Sequence, residues 1–168
     1  YLEGEIKMFE ALFEILPKQI RGKMERIFHG YDIDPTARIS PGVKIIYNDK
    51  RRKKLKIGKN VFIGVNCVLD ITKGIVIKDD VQIAPNAMIF THDSSKDRKN
   101  PIERGVIIEE GAYIGAGAII LHGVRVGKNA IVGAGAVVTR DVDDNAIVGG
   151  VPAKVISKRL NENWEAKR

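Results

Sequence analysis

Large aliphatic residues recur every six positions over most of this chain. In its second half the series is unbroken, at Ile108, Ile114, Ile120, Val126, Val132 and Val138. The residue four positions after each aliphatic is usually small or β-branched, and glycine often follows the aliphatic directly. A period of six fits neither the turn of an α-helix nor the simple alternation of a long strand. The pattern therefore predicts short, flat strands joined by sharp corners.

The same pattern predicts how the strands stack. Positions i and i+4 share parity on a strand, so the aliphatic and the small residue both point inward. Glycine and asparagine between them tolerate the positive φ that a tight corner needs. Three six-residue blocks make a coil of about 18 residues, and stacked coils pair as parallel strands about 4.8 Å apart. We expect a mainly β fold, a three-sided column with a narrow aliphatic core.

Three regions differ from the regular repeat. Residues 1–30 carry a helical stripe of apolar residues broken near Pro17, which predicts an amphipathic helical segment. We expect this segment to cap the column or contact a partner rather than a membrane. The column itself is predicted over residues 31–153, with a polar loop at 91–107 that interrupts the repeat. Residues 154–168 are predicted to form a C-terminal tail or short helix.

Composition narrows the choice of partners. The net charge is +7, from 28 basic and 21 acidic residues, which favours anionic partners such as phosphorylated cofactors. Seven of the ten residues from Lys50 to Lys59 are basic, and we interpret that run as a solvated loop. Cys67 is the single cysteine, so intrachain disulfides and cysteine-rich zinc sites are excluded. With no 18-residue apolar run and no signal-peptide pattern, a cytoplasmic location is expected. The dinucleotide-binding and P-loop glycine motifs are absent, and no nucleic-acid partner is expected.

Two segments carry a family resemblance. The stretch IAPNAMIFTHD, followed by a basic loop and by IIEEGAYIGAGAIILHGVRVG, and the later GGVPAKV resemble the hexapeptide-repeat acetyltransferases. The nearest types are the galactoside/maltose O-acetyltransferases and the bacterial polysaccharide O-acetyltransferases. The resemblance implies a left-handed parallel β-helix that moves an acetyl group from acetyl-CoA to a hydroxyl of a sugar or polysaccharide, without a metal. It also implies a homotrimer with its active sites between subunits.

His92 is the candidate catalytic residue. It stands at the start of the interrupting loop, where the resemblance places the family's catalytic histidine. A sugar hydroxyl is a poor nucleophile near neutral pH, and an imidazole that titrates there suits the role of general base. Asp93, Asp97, Glu103 and a backbone carbonyl are the alternatives for the group that orients it.

The resemblance also implies the binding residues. Asn66 is assigned to the acceptor, since its amide can both donate to and accept from a hydroxyl, and Asp70 is a second candidate. The backbone N–H of Ala116 is assigned to the oxyanion of the reacting thioester. The residues implied for acetyl-CoA are Tyr113, Gly115, Ala116, Gly133, Ala134, Thr139, Lys154, Lys158 and Arg159, with the basic residues near the phosphates.

Other functions compete with this interpretation. The acceptor could be an amino sugar, which would make the reaction an N-acetylation, or another small acceptor, as in the serine and antibiotic acetyltransferases. A non-catalytic β-helix scaffold is a second alternative. The γ-type carbonic anhydrases share the fold and need three zinc-binding histidines. This chain has three histidines, His29, His92 and His122, but it lacks that family's pair of histidines five apart.

Overall fold

Three parallel sheets form the walls of a three-sided column. The structure is a computed structural model that describes residues 31–46, 55–95 and 102–159. Within these ranges the chain passes from the first sheet to the second, then to the third, and returns to the first one coil higher. The predicted left-handed parallel β-helix is confirmed. No helix in the described ranges is long and apolar enough to cross a membrane.

Each wall is built from strands of two to five residues. The first sheet contains β1 (Asp32–Ile33), β4 (Leu55–Ile57), β7 (Ile75–Ile77), β12 (Val106–Ile108) and β15 (Arg125–Val126). The second contains β2 (Arg38–Ile39), β5 (Phe62–Ile63), β8 (Gln82–Ile83), β13 (Tyr113–Ile114), β16 (Ile131–Val132), β18 (Ala146–Gly149) and β19 (Lys154–Lys158). The third contains β3 (Lys44–Ile46), β6 (Val68–Asp70), β9 (Met88–Ile89), β14 (Ile119–Ile120) and β17 (Val137–Val138). A separate antiparallel pair, β10 (His92–Asp93) and β11 (Ile102–Glu103), projects from the column.

Aliphatic side chains stack inside the column in register. In the second sheet the partners from coil to coil are Ile39, Ile63, Ile83, Ile114, Val132 and Val148. Most of these residues are completely buried, and so are the small residues four positions further on, such as Ala87, Ala118 and Ala136. The prediction that both positions point inward is therefore confirmed.

The corners use asparagine and glycine as predicted. Positive φ angles occur at Asn60, Asn66, Asn86, Asn129 and Asn145, and at corner glycines such as Gly117 and Gly135. Other corner glycines are needed because coils approach closely there. A Cβ on Gly64, for example, would lie 2.6 Å from the backbone nitrogen of Pro85 in the next coil. Such a contact is too short, so a side chain at this position would force the coils apart.

Some coils differ in length from the regular eighteen residues, and the difference always falls at the same corner of the column. In the third sheet Ile120 pairs with Val138, eighteen positions on, but Leu69 pairs with Ile89, twenty on, and Ile89 with Ile120, thirty-one on. The extra residues lie where the chain leaves the third sheet for the first. We call this corner the insertion edge; its described parts are residues 71–74, 91–95, 102–105, 121–124 and 139–141. The β10–β11 arm projects from it.

The C-terminal helix, one of the two alternatives predicted for residues 154–168, does not form in the part that the structure describes. Residues 154–158 form β19, antiparallel to β18, and not a helix. The last coil leaves the outer edge of β18 unpaired, and an antiparallel strand satisfies those backbone groups. The β-branched Val155 and Ile156 also favour a strand. The predicted N-terminal helical segment, the start of the basic run and residues 160–168 lie outside the described residues.

Replacing Ile83 by alanine tests the aliphatic ladder. Ile83 is completely buried in a middle coil. Ile39 belongs to the same stack of side chains in the second sheet, but it lies in an outer coil and is 38% exposed. We expect Ile83→Ala to lower the free energy of unfolding by about 2–5 kcal/mol. The matched Ile39→Ala should cost about 1 kcal/mol or less. Urea unfolding at one protein concentration measures the change in unfolding free energy for both variants. Equal changes would contradict a core confined to the inner coils.

Candidate active site

His92 stands directly above a buried aspartate at the insertion edge. Asp70 ends β6, and His92 begins β10 one coil higher. The Nδ1 atom of His92 lies 2.6 Å from the Oδ2 atom of Asp70. The Asp70 side chain is 1% exposed, whereas that of His92 is 28% exposed. The imidazole therefore has one edge on a buried carboxylate and is accessible from solvent.

Asp70 is surrounded by hydrogen-bond donors. Its Oδ1 atom accepts from the hydroxyl and the backbone N–H of Thr72, at 2.6 and 3.1 Å. Its Oδ2 atom accepts from the backbone N–H of Thr91 at 2.9 Å. Burial raises the pKa of Asp70, but the hydrogen bonds from Thr72, Thr91 and His92 lower it by more, so the net pKa is below the ordinary value. Asp70 is therefore ionised at neutral pH.

This ionised partner determines the tautomer of His92. A carboxylate can only accept a hydrogen bond, so the nitrogen facing it must carry the proton. In a neutral imidazole the other nitrogen, Nε2, then carries a lone pair. The arrangement is that of a histidine prepared to accept a proton at Nε2.

The described carboxylate that contacts His92 is Asp70, which was not one of the predicted orienting groups. Asp93 instead accepts a hydrogen bond from the backbone N–H of Ser95 at 2.8 Å, and its Oδ2 atom lies 3.9 Å from Nε2 of His122. Asp97 and the side chain of Glu103 lie outside the described residues. Asp70 was assigned to acceptor binding, but its buried carboxylate faces His92 and the threonines. Counting coils would have found it, because β6 lies directly below β9, which leads into His92.

His122 occupies the next coil along the insertion edge. It follows β14, and its Nδ1 atom is buried without a hydrogen-bond partner in the described part of the chain. No three histidine, cysteine, aspartate or glutamate side chains gather as metal ligands within residues 31–46, 55–95 and 102–159. His29, the third histidine of the zinc alternative, lies outside these ranges.

The predicted cofactor residues lie on two different edges of the column. Gly115, Ala116, Gly133 and Ala134 form the corner between the second and third sheets, whereas Thr139 follows β17 at the insertion edge. Tyr113 is on the outer face of the second sheet and is 41% exposed. Lys154 and Lys158 are exposed on β19, and the backbone N–H of Arg159 donates to the carbonyl of Asn145.

Asn66 is also far from His92 within one chain. It lies at the start of the third sheet, in the left-handed conformation with φ of 58°. Its exposed side chain reaches over Gly42 of the preceding coil, where a Cβ would meet its Oδ1 atom. Asp70 stands four residues later, at the far end of β6, and a fully extended chain would span at most about 13 Å over that separation. The third sheet thus separates Asn66 and the Ala134 corner from His92.

Two family models match this sequence. The model described as "Bacterial transferase hexapeptide (six repeats)" matches residues 105–140, and "Hexapeptide repeat of succinyl-transferase" matches residues 54–90. The first range covers the coils above the arm, and the second covers the coils below it. Both matches therefore fall on the column and on neither flank.

Curated relatives include both O- and N-acetyltransferases. The galactoside O-acetyltransferase of Lactococcus lactis is 34% identical over 116 residues, 66% of this chain and 56% of that protein. The 2,3,4,5-tetrahydropyridine-2,6-dicarboxylate N-acetyltransferase of Staphylococcus aureus is 46% identical over 68 residues, 40% of this chain and 28% of that protein. The chain therefore spans 56% of the length of the first and 28% of the second.

A solved structure matches nearly the whole chain. A hexapeptide-repeat acetyltransferase of Vibrio cholerae superposes with a TM-score of 0.77 at 26% identity, over 94% of this chain and 89% of that one. The same protein in complex with acetyl coenzyme A superposes with a TM-score of 0.74, over 94% and 85% of the two chains.

The lowered pKa of Asp70 predicts a pH-dependent stability. A carboxylate with a lower pKa in the folded than in the unfolded state stabilises the fold above its ordinary pKa of about 3.9. This contribution is lost as pH falls through the folded value. We therefore expect the difference in unfolding free energy between the unmodified protein and Asp70→Asn to shrink as pH falls from 5 to 3, measured in urea at one protein concentration. The pKa of Asp144 is also lowered, through its bonds with Lys128 and Arg125, but it affects both proteins alike. A difference independent of pH would contradict the stabilised carboxylate.

Proposed function

Because the chain belongs to the hexapeptide-repeat acetyltransferase group, we propose that it transfers an acetyl group from acetyl-CoA to a hydroxyl of a sugar or polysaccharide. The proposal rests on one observation above all. The buried carboxylate of Asp70 holds Nδ1 of His92 at 2.6 Å and leaves Nε2 as a base on a partly exposed side chain. The resemblance to a protein solved with acetyl coenzyme A supports the donor, and the galactoside O-acetyltransferase supports the acceptor class.

The reaction follows from the properties of this pair. Nε2 of His92 takes the proton of the acceptor hydroxyl as its oxygen attacks the thioester carbonyl. The imidazolium that forms is stabilised by the ionised Asp70. The tetrahedral intermediate then expels the CoA thiolate as the carbonyl re-forms. The proton held by His92 passes to that thiolate, which returns the histidine to its neutral form.

The oxyanion of the intermediate needs a hydrogen-bond donor. We assign the backbone N–H of Ala116 to it. In the described part of the chain no acceptor takes a hydrogen bond from this N–H, although the Ala116 carbonyl accepts from Gly135. A free donor on a rigid corner is the kind of group that stabilises developing negative charge without reorganisation.

Acetyl-CoA and the acceptor are assigned to surfaces beside these groups. The pantetheine arm would run along the small residues Gly115, Gly133 and Ala134, where a narrow chain can approach the backbone closely. The exposed ammonium groups of Lys154 and Lys158 would meet the phosphates of the cofactor, with Arg159 nearby. The exposed amide of Asn66 would contact a hydroxyl of the acceptor.

One chain does not bring all of these residues to one place. His92 and Thr139 lie at the insertion edge, whereas Ala116, Ala134 and Asn66 lie at the other end of the third sheet. A site that uses both groups needs two chains, which supports a homotrimer with three shared sites. The outer face of the third sheet also carries a half-buried apolar row in register, Val68, Met88, Ile119 and Val137. A neighbouring column would cover this row.

An amine acceptor is the second candidate. The identity with an N-acetyltransferase supports it. The same base would serve, because an amine loses a proton as it forms an amide. The two candidates differ in which acceptor class promotes release of free CoA.

Replacing His92 tests the catalytic assignment. We expect His92→Ala to lower kcat by about 10²–10⁴-fold, because it removes the base but not the binding surfaces. Thiol release from acetyl-CoA with a panel of neutral sugars, amino sugars and polysaccharide fragments measures turnover. Calorimetry should show a Kd for acetyl-CoA within about twofold of the unmodified protein. Unchanged turnover would remove His92 from the mechanism, and a protein that neither binds nor cleaves acetyl-CoA would be a scaffold.

Mixing two inactive variants tests the shared site. We expect His92→Ala and Ala134→Trp each to be inactive, the second because an indole fills the predicted groove. In randomly mixed trimers about a quarter of the sites combine His92 from one chain with Ala134 from the next, so about a quarter of the activity should return. Refolding an equimolar mixture and measuring thiol release provides the test. No recovery in trimers shown to be mixed would place the whole site within one chain.

A further inference from the structure

In the part of the core that the structure describes, one cluster is made of polar side chains alone, and it lies beneath His92. Within the described residues, the buried polar or charged side chains are Asp70, Thr72 and Thr91, exposed by 0%, 5% and 0%. The other buried residues in these ranges are hydrophobic, although Tyr31 and Cys67 each carry one polar atom. Burying polar groups costs free energy unless they are fully hydrogen-bonded, and an aliphatic residue would fill the space without that cost. The cluster is therefore better explained by the imidazole above it than by stability.

We propose that Thr72 and Thr91 are positioning residues, which hold the Asp70 carboxylate so that it keeps His92 in the Nδ1–H tautomer. This inference rests on the proposed function, because it assigns a role to residues that support the base. Neither threonine contacts His92 through its side chain in the bonds described above. Each acts through Asp70.

Thr72 fixes one oxygen of the carboxylate. Its hydroxyl donates to Oδ1 of Asp70 at 2.6 Å and its backbone N–H donates to the same atom at 3.1 Å. With Oδ1 occupied, Oδ2 is the oxygen directed at His92. The hydroxyl also disfavours protonation of Asp70, because it stabilises the charged form. A protonated Asp70 would no longer require Nδ1 to be the donor.

Thr91 fixes the other oxygen and the base of the arm. Its backbone N–H donates to Oδ2 of Asp70 at 2.9 Å, and its hydroxyl donates to the Asp70 carbonyl at 2.8 Å. The same hydroxyl accepts a hydrogen bond from the backbone N–H of Lys73 at 3.0 Å. Thr91 directly precedes His92, the first residue of the β10–β11 arm. These bonds therefore connect the start of the arm to the end of β6, where Asp70 lies.

The chain contains a natural control for Thr72. Asp34 and Thr36 form the same aspartate-x-threonine turn at another corner, where the Thr36 hydroxyl and N–H donate to Oδ1 of Asp34 at 2.7 and 2.9 Å. This second turn is on the surface, and Thr36 is exposed. The two threonines therefore make equivalent bonds to an aspartate, but only one of those aspartates supports a histidine.

The test compares Thr72→Val, Thr72→Ser and Thr36→Val in the complete protein. We expect Thr72→Val to lower kcat about tenfold, the effect of one lost hydrogen bond to a charged group, with KM for acetyl-CoA unchanged. Thr72→Ser should recover most of the activity, because it restores the hydroxyl. Thr36→Val should match the unmodified protein. Nitrogen-15 NMR of the imidazole should show a single Nδ1–H tautomer for His92 in the active proteins and a mixture in Thr72→Val.

Several outcomes would overturn the inference. If Thr72→Val had the same kcat and the same His92 tautomer as Thr36→Val, the positioning role of Thr72 would be wrong. This holds even if His92→Ala were inactive and the proposed function correct. An active His92→Ala would instead remove His92 as the base, and with it the role of the threonines, whereas an unmodified protein that neither binds nor cleaves acetyl-CoA would overturn the proposed function. If Thr72→Val does not fold, judged by circular dichroism, the pair Thr91→Val and Thr91→Ser takes its place. In that pair, a kcat of Thr91→Val equal to that of Thr91→Ser, with a single His92 tautomer in both variants, would exclude positioning through the threonine hydroxyl.

Discussion

The structure depends on the stacking of aliphatic side chains inside a narrow column. Each coil contributes one large and one small side chain from each wall, and parallel pairing holds them above their equivalents in the coil below. A slip of one residue would turn the large aliphatics outward, so the register is strongly determined. The column has little room for anything else, and in the described ranges only three polar side chains are buried in it. Those three lie directly beneath His92, the candidate base.

Much of the fold could be predicted because it repeats. The six-residue period, the small residue at i+4 and the corner asparagines are each visible many times in the sequence, and a local error in one coil is corrected by the others. The site is different because it occurs once. His92 could be found, since it begins the longest interruption, but its partner depends on how many residues each coil contains.

Asp70 illustrates that limit. It was recognised as a candidate residue, but was assigned to the acceptor beside Asn66. Its coil is two residues longer than the regular one, since Leu69 pairs with Ile89 twenty positions on, so a count in regular coils of eighteen misaligns β6 with the start of the arm. The sequence also indicated a C-terminal helix, because the signal for β19 is the unpaired edge of β18, which exists only once the column has formed.

The strand β19 has a consequence for how columns meet. A parallel solenoid ends in a coil whose backbone groups could accept another coil, and such an open end favours uncontrolled polymerisation. Here the second wall terminates in a strand of reversed direction that carries lysines at both ends, Lys154 and Lys158. A further parallel coil cannot pair with β18, because β19 already occupies the outer edge of that strand. The reversal of direction at β19 therefore ends the parallel ladder of the second wall from within the chain itself.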